Sequence, residues 1–288
     1  MFAQVLFSGL ALGSIYGLVA LGFAVVFKAT EVFNFAQGMF AVCGAYFAVT
    51  ATATLQLPFP LAMLFMVGAS AALGVLIQVT LIQPLSGRSM LAVIMVTIAL
   101  ALVLRALIEI VYGPEGRTLD TPLPNGVLRF GELRISELYL TAALVSWVCM
   151  GLFGAFFRYT SIGLLMRATA DGHEAAIVSG VNVNAMNRLA WAIGSVLAAI
   201  GGLFLGQLQI VSTDLESIGL LALPAVVIGG MQSIPGAIVG GLLVGLIEQF
   251  SASYISPKSS DIAIYGLLLL ILMARPWGLL GRRELGRV

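Results

Sequence analysis

The residues best placed to do chemistry form one run, Arg167-Ala-Thr-Ala-Asp171-Gly172-His173-Glu174-Ala175-Ala176-Ile-Val-Ser-Gly180. It is the one polar island in the second half of an otherwise apolar sequence. It holds the only histidine, and Arg158 and Arg188 lie to either side of it. Its composition offers recognition rather than bond making. A short helix of small residues can enter a groove, while Arg167, Asp171 and Glu174 fix its orientation by charge. Gly180 lets the chain turn back. The run reads as a docking surface for a soluble partner, set between two membrane spans on a basic side.

Ionisable groups inside the apolar runs are few. Arg105 and Glu109 are four residues apart and can pair on one helix face. Intramembrane charges mark function by default, but a self-paired couple near the end of a span fits a structural role as well. Glu248 follows a glycine-rich segment and reads either as an interfacial carboxylate or as a path residue. Asn34, Gln37 and Gly38, and again Gly229, Gly230 and Gln232, interrupt apolar runs. They are the candidates for a translocation path; the alternative is that their amides cap neighbouring helix ends.

Catalytic constellations are missing. There is no Gly-x-Ser-x-Gly, Cys-x-x-Cys or His-Glu-x-x-His, and Lys28 and Lys258, the only lysines, do not follow glycine as a P-loop requires. No catalytic residue, metal or cofactor is expected, and any ATP hydrolysis belongs to another subunit. Cys43 and Cys149 lie in apolar surroundings and read as inert thiols. A net charge of +1 with dispersed basic residues gives no nucleic-acid surface. No carboxylate falls at the centre of a run, which argues against a proton- or sodium-coupled carrier.

These residues must be positioned by elements that use lipid as their solvent. The chain is 60% hydrophobic and 9% charged, with mean hydropathy +1.07. Apolar runs cover approximately 4–27, 35–54, 60–82, 90–112, 138–157, 187–211, 218–231, 234–252 and 262–274. Backbone in lipid must satisfy its own hydrogen bonds, so these are helices; the ~10-residue alternating segments of a β-barrel are absent. The expectation is an all-α polytopic protein with about eight or nine transmembrane helices, forming one membrane domain over 1–288. Met1–Phe27 carries no charge and reads as a first span rather than a leader.

Two segments break the pattern. Pro224, Gly229-Gly230 and Pro235-Gly236 interrupt the stretch 218–252, which predicts a broken or re-entrant pair of short helices. Thr30–Gly38 is a weaker counterpart in the first half, and such paired interruptions point to a transport path. Glycines at Gly9, Gly13 and Gly17, at Gly202 and Gly206, and at Gly236, Gly240, Gly241 and Gly245 allow close helix packing. The loop 113–137 contains an alternating stretch, Val127–Ile135, about a Gly131-Glu132 turn, which predicts a β-hairpin cap.

Lys and Arg set the orientation. Placing the 158–188 loop inside puts Lys28, Arg88, Arg158, Arg167, Arg188, Arg275, Arg282, Arg283 and Arg287 inside. Arg117, Arg129, Arg134 and Lys258 fall outside. The positive-inside rule then places the amino terminus outside, the carboxyl terminus in the cytoplasm and the 113–137 loop in the periplasm.

The order of these motifs resembles a known family. Gly13-Ser-Ile-Tyr16-Gly, Val32-Phe-Asn34-Phe-Ala-Gln37-Gly38 with Gly44-Ala-Tyr46, Gly163-Leu-Leu-Met-Arg167-Ala, Gly201-Gly202, Ile228-Gly-Gly-Met-Gln-Ser-Ile-Pro-Gly236-Ala and Arg275-Pro276-Trp277-Gly278-Leu follow one another in this chain. Together they are similar to the inner-membrane permeases of bacterial ATP-binding-cassette importers for branched-chain amino acids, of the shorter, H-type permease of the pair. The resemblance implies a second permease, two cytoplasmic ATPases and a periplasmic substrate-binding protein as partners. It implies that Arg167, Asp171, Glu174, Ala175, Ala176 and Gly180 form the helical loop that docks on the ATPase. The family motif Asn-Phe-Ala-x-Gly often carries histidine at the variable position, where this chain has Gln37, which cannot titrate. Relatives for urea, short amides and other small carboxylates share much of the pattern. An ATP-independent carrier or channel is the reading from outside the family.

Overall fold

Helix α1 (Phe2–Thr30) is apolar on every side and is buried on nearly every side. A helix without a polar face belongs at the centre of a membrane bundle. The computed structural model describes residues 2–130 and 133–281. The expectations that fall on Met1, on the Gly131-Glu132 turn and on Arg282, Arg283 and Arg287 lie outside the described residues.

Around α1 stand α5 (Glu137–Tyr159), α8 (Val183–Leu208), α10 (Ala222–Gly229) and α11 (Ile234–Tyr254). Beyond α8 pack α2 (Gln37–Val49) and α3 (Phe59–Ile77), while α4 (Met90–Tyr112) leans on α2. α12 (Ser259–Ala274) closes the far side against α10 and α11. The cytoplasm-expected loop forms α6 (Ser161–Asp171) and α7 (His173–Val178), and α9 (Leu215–Leu220) precedes α10. Strands β1 (Val127–Phe130) and β2 (Leu133–Ser136) pair antiparallel, with Val127 opposite Ser136, as the hairpin reading requires.

Among the described residues six helices are long and apolar enough to cross a membrane: Phe2–Thr30, Phe59–Leu85, Met90–Tyr112, Glu137–Tyr159, Val183–Leu208 and Ile234–Tyr254. Leu215–Gly229 and Ser259–Ala274 are shorter apolar helices. The protein is an all-α polytopic membrane protein. The outer helices show it by what they expose: Leu102, Leu107, Ile110 and Val111 on α4, and Leu144, Trp147, Val148 and Leu152 on α5. Apolar side chains in such numbers belong against lipid.

Glycine sets how near the central helices come. A methyl group on Gly13 would stand 2.8 Å from the Leu242 Cα, so α1 and α11 touch backbone to backbone. Gly241 and Gly245 face Gly17 and Gly13 across the same seam. The glycine stripes of the two helices are thus one interface, as small-residue packing in lipid predicts.

The break in 218–252 falls at two points. α9 and α10 part at Leu221, and Gly230 and the following three residues turn the chain into α11, which is continuous. Pro224 and Pro235 lie in the first turns of α10 and α11. Proline is tolerated there because first-turn amides have no intrahelical partner. Gly230 takes φ +108°, against the Trp277 carbonyl and Gly281 of the terminal segment. That segment is bound back: the amides of Leu279 and Leu280 donate to the carbonyls of Ile228 and Gly229.

The helices define two ends. The hairpin end holds Tyr112, Val211 and the starts of α1 and α5, with Arg117 and Val211 paired in an isolated antiparallel bridge. The opposite end holds Lys28, Arg88, Arg158, α6 and α7.

Candidate functional site

The first break begins where Glu31 takes the left-handed φ of +55°, which ends α1. From there to Gln37 the backbone has no helix to satisfy it, so side chains do. Thr97 Oγ1 on α4 shares its one proton between the Phe33 carbonyl at 3.0 Å and the Ile94 carbonyl of its own helix at 2.8 Å, and accepts from the Phe35 amide at 3.4 Å. Asn34 Oδ1 accepts from the Ala36 amide at 3.2 Å, and its Nδ2 donates to Gln37 Oε1 at 3.0 Å. Gln37 Nε2 then donates to the carbonyls of Gly194 (3.2 Å) and Val19 (3.4 Å). Asn34 and Gln37 are both buried. Val19 and Gly194 each stand eleven residues from the Lys28 end of their helices, about 16 Å. That is half of a ~30 Å hydrocarbon layer.

Gly38, the second residue of α2, lies beside this knot. A side chain there would meet the Glu216 carbonyl at 2.7 Å, because α9 packs against it. Asn34, Gln37 and Gly38 are therefore one mid-depth cluster where α1, α2, α8 and α9 meet. In this conformation their amides are engaged in protein hydrogen bonds. Gly229, Gly230 and Gln232 are elsewhere. Gly229 packs against Gly236, while Gln232 is exposed at the Lys28 end. The six path candidates thus separate into a mid-depth group and an end group.

Gln232 shares a cavity of about 540 Å³ with Lys28, Arg158, Arg167 and Asp171. The end group of path candidates and the first part of the docking island therefore meet. A neighbouring cavity of about 790 Å³ lies between the loop around Arg88, the end of α1 and the Asp171–His173 corner. Glu31 and Asp171 border both.

The island folds as two helices at an elbow. Thr160 caps α6, its hydroxyl accepting from the Gly163 amide at 2.9 Å. Gly163, Met166 and Thr169 turn inward; Ile162, Leu164 and Leu165 turn out. Arg167 Nη2 donates to the Arg158 carbonyl at 3.2 Å, and its guanidinium stands 5.8 Å from the Phe157 ring. α7 ends as a Schellman cap: the Gly180 amide donates to Ile177, and the Val181 amide to Ala176. Gly180 has φ +82°, so the turn needs glycine there. Glu174 and Ala175 are exposed, but Ala176 is buried against the chain itself. The outward apolar residues of α7 are Ile177, at 60%, and Val178, at 89%. Sequence reading took the two alanines as a pair and did not single out Ile177 and Val178, since a six-residue helix is too short for its period to show a face.

A second feature was half visible. Arg105 Nε pairs with Glu109 at 3.1 Å as their spacing predicts, yet Arg105 also reaches Asp214 at 3.4 Å and Glu216 at 3.8 Å. Thr213 Oγ1 donates to the same Glu109 oxygen at 3.2 Å. The pair is one corner of a network that ties α4 to the start of α9. The backbone carbonyl of Glu248 accepts from the Ser260 hydroxyl of α12.

Comparison with known proteins gives a family match over nearly the whole chain. The family described as "Branched-chain amino acid transport system / permease component" matches residues 5–273. The high-affinity branched-chain amino acid transport system permease protein BraD of Pseudomonas aeruginosa is 32% identical, over 100% of this chain and 98% of that protein. The corresponding permease protein LivH of Escherichia coli (strain K12) is 30% identical over the same shares of both chains. A probable LivH from Methanocaldococcus jannaschii is 27% identical over 92% of this chain and 88% of its own. These shares place the likeness along the whole chain rather than in one motif.

Proposed function

The chain belongs to the family of permease components of branched-chain amino acid transport systems, and from that membership we propose that it is the membrane-spanning permease subunit of an ATP-binding-cassette importer that moves branched-chain amino acids into the cytoplasm. The observation that carries this reading is the end-to-end match to such permeases. The α6–α7 elbow supports it as a surface for an ATPase. Its partners are a second permease, two cytoplasmic ATPase subunits and a periplasmic binding protein, with membrane lipid around the spans. The whole chain acts as one transmembrane permease domain in the inner membrane. The amino terminus and the 113–137 loop face the periplasm, and the 158–188 loop and carboxyl terminus face the cytoplasm.

The mechanism follows from what α6 and α7 touch. Glu174, Ala175, Ile177 and Val178 present the docking face, and Gly180 fixes the return of the chain. Arg167 and Asp171 connect that face to the Lys28 end of α1 and to Gln232 before α11. Movement of an attached ATPase tilts α6, and through it α1 and α11, which move together because their backbones are in contact. The Asn34–Gln37 knot is where such a tilt must be absorbed, since four helices meet there at mid-depth. Opening that knot exposes amides and Gly38 to a path between this subunit and its partner permease.

Reconstitution with the ATPases and binding protein tests the reading. Leucine delivered by the binding protein should stimulate ATP hydrolysis and accumulate only with ATP. Accumulation of leucine without ATP would identify a carrier or channel. Stimulation by urea, short amides or other small carboxylates, with none by leucine, would move the substrate class and leave the importer mechanism intact.

A further inference from the structure

We propose that the cavity at the Lys28 end, between α1, α5, α6 and the turn before α11, is a binding site for the phosphodiester headgroup of an anionic membrane lipid. Among the described residues three cations line it, Lys28, Arg158 and Arg167, with two carboxylates, Glu31 and Asp171. Lys28 Nζ stands 5.7 Å and the Arg167 guanidinium 5.8 Å from the same Phe157 ring, so two of the cations are anchored on one side chain. Arg167 is held beside the cavity by the bond from its Nη2 to the Arg158 carbonyl.

The surroundings favour a lipid over a soluble anion. α6 exposes Ile162, Leu164 and Leu165 beside its charged positions, the pattern of a helix lying in the membrane interface. α5, which forms one wall, exposes Leu144, Trp147, Val148 and Leu152 to the hydrocarbon. Gly154 lines the cavity, and on both Gly151 and Gly154 an added methyl group would meet no atom within 4 Å. That open strip along α5 leads from the cavity into the apolar face and is a track for an acyl chain. Basic pockets between membrane helices hold anionic headgroups in this way. A lipid seated there braces α6 against α1. The site does not depend on which amino acid is carried.

The test uses the full-length chain in its purified complex. Lipid retention is counted by native mass spectrometry after exchange into nanodiscs of phosphatidylglycerol or of phosphatidylcholine. The wild type should keep one phosphatidylglycerol through delipidation and no phosphatidylcholine. The double variant Lys28→Gln/Arg158→Gln should bind phosphatidylglycerol about thirty-fold more weakly, from ~1 kcal/mol per basic residue. Gly154→Leu, which fills open space, should keep its melting temperature and lose the lipid by obstructing the track. Equal retention in the double variant and the wild type overturns the proposal. So does equal retention of phosphatidylcholine, or displacement of the lipid by millimolar inorganic phosphate, which would mark a site for a free anion.

Discussion

Gln37, the first residue of α2, donates its amide to the backbone carbonyl of Gly194 in the middle of α8 at 3.2 Å. This bond joins two helices at mid-depth, where water is not available to replace it. Gln37→Leu keeps the volume and removes the bond, and it leaves Asn34 Nδ2 without its acceptor. Loss of about 1–3 kcal/mol is expected for a buried group so orphaned. A melting temperature of the assembled complex equal to wild type would show that the knot is not a structural tie.

Thr97 should behave in a graded way. Thr97→Val removes the hydroxyl that serves the Phe33 carbonyl and the Phe35 amide, and is expected to destabilise by about 1–3 kcal/mol. Thr97→Ser restores the hydroxyl and should recover most of the loss. Melting of Thr97→Ser as low as that of Thr97→Val would show that the hydroxyl bonds do not account for the loss.

The seam between α1 and α11 admits no added carbon at Gly13. Gly13→Ala puts a methyl group 2.8 Å from the Leu242 Cα and should sharply reduce folded protein in the membrane. Gly68→Ala, where nothing lies within 4 Å, is the matched control and should be silent. Equal yields of the two, measured by fluorescence-detected size exclusion, would contradict the close contact.

The elbow gives a prediction that separates docking from folding. Ala175→Trp and Val178→Asp lie on the exposed face and should leave the chain stable while releasing the ATPase and abolishing ATP-driven uptake. Ala176→Trp acts differently, because Ala176 is 4% exposed; overpacking costs about 1–3 kcal/mol and should lower stability. ATPase co-purification together with membrane abundance distinguishes them. Full ATPase binding in both exposed-face variants would remove the docking role.

The charged network at α4 should be uneven. Arg105→Gln strands three carboxylates at once and should destabilise more than Asp214→Asn, whose side chain is 85% exposed. Exposed pairs contribute about 0–1 kcal/mol, so Asp214→Asn is expected within that range. Thermal melting of the two variants in one detergent checks the order; a reversed order would put the main support of Arg105 elsewhere.

Much of this was legible in the sequence because lipid leaves few choices. Runs without charge had to be helices, and α4, α8 and the hairpin fall close to where composition put them. The glycine spacing named the seam residues on both α1 and α11, though not that they face each other, since partners distant in sequence leave no local mark. The same limit hid Thr97 as the support of the first break. It also hid Asp214 and Glu216 as partners of Arg105. Pro224 and Pro235 read as breakers, yet they start helices; the turns they mark lie just before them. Ala176 was read as outward because composition gives a short helix its content but not its facing.

The backbone contact of Gly13 with α11 has a consequence for how the protein is made. α1 is synthesised first, and the helix that completes its seam emerges more than two hundred residues later. At ~5–20 residues per second, the interval is on the order of ten to forty seconds. Throughout it the glycine stripe of the innermost helix faces lipid or the insertion machinery, open to any other small-residue helix. An α1 apolar on all sides can wait in the bilayer without penalty, and an α1 tuned only to its final neighbours could not. The nascent chain is thus most vulnerable to wrong pairing late in synthesis, before α11 inserts, and translation rate across α8 to α11 becomes a determinant of yield.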